Sequence, residues 1–379
     1  MTDPLVSVVI PSYNAARFLP QALDSVFAQT FTDYEVIVVD DESQDETPAV
    51  VARYGSRLRY LRARLGSANA TRNAGILASR GRYIALLDAD DWWLPHKLEA
   101  QVDFAEQCPR AGLVYARCLV VEEASGATLG ELPAPPYPTG RVLQQLYFRQ
   151  FVPSPTPLIR REVLERVGLF DPAERGADDW EMWLRVAAAT DFAFLNQVVA
   201  CYRVHASSSG RRPAGAYLRD LRRMFVRAGR TYPELRPLLP ARLFAFEATY
   251  GAVAWERGEN TLARACFRRA LRLRPWRIDL LARLALTVIP AAGRHARLEQ
   301  AHGYYRNGKY SFATGERARA RREFAAALCT WPFGWRLFGA ALALTFLPPA
   351  LSQRLLAGRS WQLTAQGPRP ALRSTLRQW

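Results

Sequence analysis

Tyr83-Ile84-Ala85-Leu86-Leu87-Asp88-Ala89-Asp90-Asp91-Trp92-Trp93 decides how the front of this chain is read. Five unbroken apolar residues read as a buried strand. Asp88, Asp90 and Asp91 follow at once, at the strand end where parallel α/β sheets bind their ligands. The same grammar appears upstream. Leu5 to Ile10 is an apolar run ended by Pro11, and Val36 to Val39 is another, ended by Asp40 and Asp41. Between them Leu19, Ala22, Leu23, Val26 and Phe27 fall at helical spacing. Thr47 to Tyr54 and residues 67–79 read as further helices, Arg59-Tyr60-Leu61 as a third strand, and Pro95 opens the next helix. Strands separated by helices predict an α/β domain, a mostly parallel sheet covered on both faces.

The acidic tips suggest chemistry. In extended chain, alternate residues face one way, so Asp88 and Asp90 can present both carboxylates to one side. Hard divalent cations such as Mn²⁺ or Mg²⁺ accept such oxygen ligands and leave positions for phosphate oxygens. Helix capping competes as an explanation for Ser43 or Asp45 alone. It does not explain five carboxylates on two strand tips, because unpaired like charges repel.

Charge divides the 379 residues unevenly. Residues 1–215 hold 22 basic and 26 acidic side chains, and residues 216–379 hold 29 and 9. Only Lys97 and Lys309 are lysines among the 51 basic residues. A near-neutral front and a strongly basic back point to a polyanionic partner for the back. The five cysteines are far apart and form no Cys-x-x-Cys, which argues against a disulfide framework or thiolate zinc site and fits a reducing compartment. The N-terminal residues lack the basic start of a signal peptide. The longest uncharged apolar stretch, Leu337 to Leu351, is interrupted by Pro348-Pro349; it is shorter than the ~18–20 residues of a membrane-spanning helix.

Beyond residue 125 the reading is a long Gly/Pro-rich loop over 126–157, a helix over 178–189 and one or two strands over 192–204. Ser207 to Pro213 reads as a linker. These features predict two domains, 1–215 and 216–379.

Six stretches, in order, carry a family resemblance. They are Val6-Ser-Val-Val-Ile-Pro-Ser-Tyr-Asn14, Val39-Asp-Asp-Glu-Ser43, Ala70-Thr-Arg-Asn-Ala-Gly75, Leu87-Asp-Ala-Asp-Asp-Trp92, Ala177-Asp-Asp-Trp-Glu-Met-Trp-Leu-Arg185 and Tyr202-Arg-Val-His-Ala-Ser-Ser208. Together they resemble family 2 glycosyltransferases with the GT-A fold over residues 5–208. The resemblance implies nucleotide-sugar contacts from Pro11, Tyr13, Asn14, Asp41, Arg72, Asp88 and Ala89. Tyr13 would stack on the base, Asp41 would accept its imide hydrogen bond, Asp88 would meet the ribose, and Arg72 the sugar or diphosphate. It implies a metal, Mn²⁺ or Mg²⁺, held by Asp90 with His205 as a further metal or phosphate contact. It implies Asp179 as general base in an inverting displacement, with Trp180, Trp183 and Arg185 toward the acceptor. Asp178 stands where the family has Glu, so it is a second candidate base. Trp180 and Trp183 lie three apart on a helix, a spacing that serves a core as well as a sugar platform. Arg185 equally suits a structural ion pair.

The back half is helical in period and carries a weak repeat. Ala263 to Leu271 aligns with Ala320 to Leu328 at an offset of 57, with Gly258-Glu259 and Pro275 matching Gly315-Glu316 and Pro332. Each unit resembles a tetratricopeptide helix pair with an extra helix. Arg264, Arg268, Arg269 and Arg272 follow one helix. They read either as a solvated face or as a surface for anionic lipid, with Trp276, Trp331, Trp335 and Trp361 suited to an interface. Nucleic acid is disfavoured, since there is charge but no recognition motif.

The expectation is therefore a metal-assisted glycosyltransferase. It would act on a nucleoside-diphosphate sugar and a glycan or lipid-linked acceptor, in cell-surface polysaccharide synthesis. It would be cytoplasmic, peripheral on the inner face of the plasma membrane. The alternative is a nucleotide-binding scaffold acting through the basic helical half. A nucleotidyltransferase or phosphohydrolase is disfavoured by the lack of a Gly-rich phosphate loop after the first strand.

Overall fold

The structure is a computed structural model. It describes residues 3–174, 177–205, 214–277 and 316–330, with scattered positions between 280 and 312 and at 346. The chain forms two compact units, Met1–Arg242 and Leu243–Trp379.

The first unit is built on a nine-stranded sheet among the described residues. Its strands are β1 (Val6–Ser12), β2 (Tyr34–Asp40), β3 (Arg59–Arg62), β4 (Tyr83–Leu86), β5 (Trp92–Trp93), β6 (Ala111–Glu122), β7 (Thr128–Leu132), β8 (Leu158–Arg160) and β9 (Asp191–Val204). The order is β3-β2-β1-β4-β8-β6-β9-β5, with β7 on β6. The first four strands pair in parallel. Beyond β4 the pairing is mixed: β8 runs antiparallel to both β4 and β6, and β6 runs parallel to β9. The predicted parallel sheet is thus the half that carries the strand-tip carboxylates.

Helices cover both faces of that half. On one side α1 (Leu19–Phe27) buries Leu19, Ala22, Leu23 and Val26 against Val6, Val8, Ile10 and Val38. Each fully buried aliphatic side chain there contributes about 1.5–3 kcal/mol. On the other side α3 (Ala68–Ala78) sits so close that a Cβ at Gly75 would lie 2.3 Å from Val9 Cγ1. Ser67 caps α3 by accepting from Ala70 N at 3.2 Å. The short α2 (Thr47–Ala52) and α4 (Lys97–Gln107) complete the layers.

One reading changes. The stretch 126–157 is not all loop. It holds β7 and α5 (Leu143–Phe148). β7 is exposed along most of its length, so its sequence lacks a buried-strand signature, and α5 is only six residues long. Residues 192–204, expected as one or two strands, belong to one, β9, irregular in register beside β6.

After α6 (Arg161–Val167) and α7 (Asp178–Ala189), α8 (Ala214–Thr231) packs back on the first unit. Phe225 O accepts from Tyr147 Oη at 2.8 Å, and the Phe225 ring meets Trp180 edge-on. Arg227 pairs with Asp171, Glu174 and Glu181. For this reason the division falls at Arg242/Leu243, not at 215/216. The 207–213 linker lies outside the described residues.

Helices of the second unit with described bounds include α9 (Leu239–Glu256, which begins before the boundary), α10 (Asn260–Leu273) and α11 (Arg317–Thr330). α10 and α11 begin and end 57 residues apart, and Ala263, Phe267 and Ala270 are buried as Ala320, Phe324 and Ala327 are. Glu259 N donates to Ala254 O at 2.9 Å, and Glu316 N to Ser311 O at 2.8 Å. A Cβ at Gly251 would lie 2.7 Å from the Phe267 ring, and one at Gly308 2.6 Å from the Phe324 ring. Of the four arginines on α10, Arg264 and Arg269 turn to Thr287 and Glu247, while Arg268 and Arg272 stay exposed. Trp331, Trp335 and Trp361 lie outside the described residues.

Candidate active site

β1 lies between β2 and β4, where the strand order reverses, and such a switch point leaves a crevice beyond the carboxyl ends of the strands. The turn after β1 is clamped to the turn after β2. Asn14 N donates to Ser43 Oγ at 2.8 Å, Gln44 N to Asn14 Oδ1 at 2.8 Å, and Ala15 N to Thr47 Oγ1 at 3.0 Å. Asn14 adopts φ +49°, a left-handed conformation that Asn tolerates better than most residues. Tyr13, on this fixed turn, is 62% exposed. Its ring is an open face at the rim of the crevice.

The two acids after β2 divide their tasks. Asp40 is fully buried and accepts from Ser43 N at 2.9 Å and from the Tyr60 hydroxyl. Asp41 accepts from Leu65 N at 2.6 Å and Gly66 N at 2.9 Å, which ties the approach to α3 to the end of β2.

Arg72 organises the centre. It is 8% exposed. Nη2 donates to Asp88 Oδ1 at 2.9 Å, and Nη1 to Asp178 Oδ2 at 2.8 Å. Asp179 Oδ1 lies 3.7 Å from Nη1. Burial disfavours the charged guanidinium, but Asp88, Asp179 and Asp178 outweigh it and hold its pKa well above the ordinary value. Asn69, one turn earlier on α3, donates to the carbonyls of Asp171 and Glu174 at 2.8 and 3.0 Å, fastening the segment before α7.

Asp178 and Asp179 open α7, where the helix dipole favours negative charge. Their environments differ. Asp178 is engaged by Arg72. Asp179 accepts a hydrogen bond from Ser154 Oγ at 3.1 Å, and 24% of its side chain remains exposed. Burial, assisted by Asp178 and Asp88 and opposed by Arg72, pushes the Asp179 carboxyl up to about 7.

Asp90 meets His205. Oδ2 lies 3.0 Å from Nε2, and β5 pairing with β9 brings the two segments together. Burial and the neighbouring Asp88 raise the Asp90 carboxyl, while His205 lowers it. Asp91 is buried and accepts from Arg203 N at 2.8 Å. Arg203 Nε donates to Asp90 O at 2.7 Å, and its guanidinium lies over the rings of Trp92 and Phe18. Phe18 packs on His205 with centroids 4.6 Å apart. Among the described residues no group of three or more His, Cys, Asp or Glu side chains could hold a metal ion unaided.

Pro11 lies within β1 opposite Val39, one residue before the strand ends at Ser12, and Ala89 is buried between Asp88 and Asp90. Three acceptor-side expectations are corrected. Trp180 is 7% exposed and bonds Leu146 O through Nε1 at 2.7 Å. Trp183 is 1% exposed and packs edge-on against Phe170. Both rings are on the buried face of α7 and offer no surface to a sugar. Arg185 pairs with Glu181 one turn away and donates to the carbonyls of Val167, Gly168 and Leu169. It caps the end of α6. Ser154, Phe18 and Asn69 escaped the sequence reading, for they reach the site only through contacts distant in sequence.

The sequence profile of the family described as Glycosyl transferase family 2 matches residues 7–168. An uncharacterized glycosyltransferase of Nostoc sp., alr2836, is 32% identical over 230 residues, which are 56% of this chain and 68% of that protein. An uncharacterized glycosyltransferase of Rickettsia prowazekii, RP339, is 29% identical over 210 residues, and the chain spans 66% of its length. Three further Rickettsia relatives are spanned over only about a third of theirs, 36% in Rickettsia felis, 31% in Rickettsia bellii and 35% in Rickettsia conorii. The crystal structure of S. aureus TarS 1-349 superposes with a TM-score of 0.53 at 17% identity, covering 76% of this chain and 87% of that one. That likeness is one of fold, a GT-A-like unit followed by a helical region. The chain belongs to glycosyl transferase family 2.

Proposed function

We propose that this chain is an inverting glycosyltransferase that moves a sugar from a nucleoside-diphosphate sugar to a hydroxyl of a glycan or lipid-linked acceptor. The observation that carries the reading is the unequal treatment of two adjacent carboxylates at the head of α7. Asp178 takes the hydrogen bond of Arg72 at 2.8 Å, while Asp179, 3.7 Å from the same nitrogen, lies outside its hydrogen-bond reach and has a proton affinity close to that needed of a base at neutral pH.

Tyr13 takes the nucleotide base on its exposed face, and Asp41 recognises its edge. Pro11, Asn14 and Ala89 shape the backbone around the nucleotide, and Asp88 meets the ribose. Asp179 accepts the proton of the acceptor hydroxyl as that oxygen attacks the anomeric carbon. The bond from that carbon to the diphosphate oxygen breaks, and the nucleoside diphosphate leaves with the bonding pair. Attack opposite the leaving group inverts the anomeric centre. Arg72 stabilises the charge that gathers around the reacting centre.

Asp90 and His205 fit a divalent cation, Mn²⁺ or Mg²⁺. A carboxylate oxygen and an imidazole nitrogen stand side by side, and the crowding of Asp88 and Asp90 favours a positive partner. When bound, such a cation would counter the charge of the diphosphate.

For the second unit the proposal is a tetratricopeptide-like array that docks on an anionic membrane surface on the cytoplasmic side, near surface-polysaccharide synthesis. Support comes from the basic charge of residues 243–379, which hold 22 basic and 7 acidic side chains, and from Trp276, 71% exposed beside exposed Arg272. Among the described residues no helix is long and apolar enough to cross a membrane.

The test is binding and turnover of UDP-, GDP- and dTDP-sugars with and without Mn²⁺ or Mg²⁺. One donor bound with metal, and bound metal-independently or not at all by Asp90→Ala, is the expected result. No donor bound under any metal would sink the proposal.

A further inference from the structure

The turn ahead of β8 is held independently of the active site. Trp93 Nε1 donates to Pro155 O at 2.9 Å, and Gln101 Nε2 donates to Thr156 O at 2.8 Å. Thr156 closes the turn through N and Oγ1 onto Pro153 O, at 3.0 and 2.9 Å. Phe151, Val152 and Thr156 are buried beneath it. Prolines on both sides restrict the backbone of Ser154. Nothing in this anchoring uses the Ser154 hydroxyl, which instead donates to Asp179 Oδ2 at 3.1 Å. The other oxygen of Asp179, Oδ1, is 3.7 Å from Arg72, beyond hydrogen-bond range.

We infer that Ser154 is a positioning residue for Asp179: its hydroxyl fixes the rotation of the carboxylate through Oδ2, stabilises the ionised form, and leaves Oδ1 to receive the acceptor proton. This rests on the reading of Asp179 as the base. A rigid turn with a single mobile hydrogen suits the task, because the hydroxyl can follow the carboxylate without moving the backbone. The charged and titratable groups that face Asp179 are Arg72 from α3, Asp88 beyond β4, Asp178 on α7 and Tyr202 on β9. Arg72 and Ser154 favour the carboxylate; the two aspartates oppose it. Removing Ser154 Oγ shifts that balance toward the proton.

The experiment compares Ser154→Ala and Ser154→Thr in the full chain. The carboxyl titration of Asp179 is followed by carbon-13 NMR of labelled aspartate, with Asp179→Asn assigning the signal, so that no donor is needed. Ser154→Ala is expected to move the titration upward by about one pH unit, the size of one ordinary hydrogen bond. Turnover of the donor selected from the UDP-, GDP- and dTDP-sugar panel should fall roughly fivefold at pH 7, as the ionised fraction drops from about one half to about one eleventh, with donor KM unchanged. Ser154→Thr should restore both. A folded Ser154→Ala protein with an unmoved titration, beside an inactive Asp179→Asn, would overturn the Ser154 assignment alone. Full turnover in Asp179→Asn would overturn the base reading and the positioning role with it.

Discussion

Arg72 reaches across 106 residues of sequence to place Nη1 2.8 Å from Asp178 Oδ2. The same guanidinium holds Asp88, so one buried cation serves the end of β4 and the head of α7. Arg72→Ala leaves these carboxylates facing one another, and breaking a partly buried pair of this kind costs about 2–4 kcal/mol. Thermal and urea unfolding should register that loss, and it should shrink in acid as the carboxylates take up protons. Arg72→Lys keeps the charge but not the planar fork, so it should recover only part of the stability and turnover.

The paired acids of α7 should separate kinetically. Asp179→Asn removes the proton acceptor and should lower kcat by about 10²–10⁴. Asp178→Asn loosens Arg72 and should cost much less. Because burial lifts the Asp179 carboxyl to about 7, turnover should fall as pH drops below 7, where the group is protonated. A rate that stays flat from pH 8 to pH 5 would contradict this.

Tyr13 gives a test of the donor side. Stacking of a nucleotide base on an aromatic ring contributes about 1–3 kcal/mol, so Tyr13→Ala should weaken nucleotide binding by roughly 5- to 150-fold. Tyr13→Phe keeps the ring and should bind nearly as well. Calorimetric titration with UDP and GDP would measure both.

The strand-tip acids were legible because they are local, whereas the α3 arginine came only from the family resemblance of its motif. An apolar run followed by Asp-x-Asp says where a strand stops. Ser154 carries no such mark. Its role depends on Trp93 and Gln101, more than fifty residues away, holding its turn in place. For Trp180 and Trp183 the sequence left core and sugar platform open: the helical period shows that they share a side of α7, but not that this side is packed against Phe170 and Phe225. α8 was assigned to the back because its period is helical, while its contacts with Tyr147 and Trp180 tie it to the front.

Lys97 offers a test of the core. It is fully buried over the face of Trp93, and its ammonium has no hydrogen-bond partner among the described residues. Burial pushes its pKa down from 10.5 to about 7. Between those values the unfolded chain holds a proton that the folded chain does not, so stability should rise as pH climbs through that window. Lys97→Met should remove the rise and stabilise the protein at pH 7 by roughly 2 kcal/mol. Unfolding measured at pH 7 and pH 9.5 decides it. Arginine cannot shed its proton in this way, which gives one of only two lysines in an arginine-rich chain a physical reason to be here.

Gly251 and Gly308 should respond alike. Alanine at either places a methyl against a phenylalanine ring, and overpacking of this sort costs about 1–3 kcal/mol. Unequal losses in the two variants would argue that the matching helices do not share one packing rule.

If they do, the Leu243–Trp379 unit measures its length in steps. A helix start, a glycine contact and a helix stop recur together after 57 residues, so a change of one residue inside the interval throws all three out of phase. A gain or loss of the whole interval would keep these three features in phase. Duplication and deletion, rather than point-by-point extension, are therefore the natural ways for that part of the chain to change its reach.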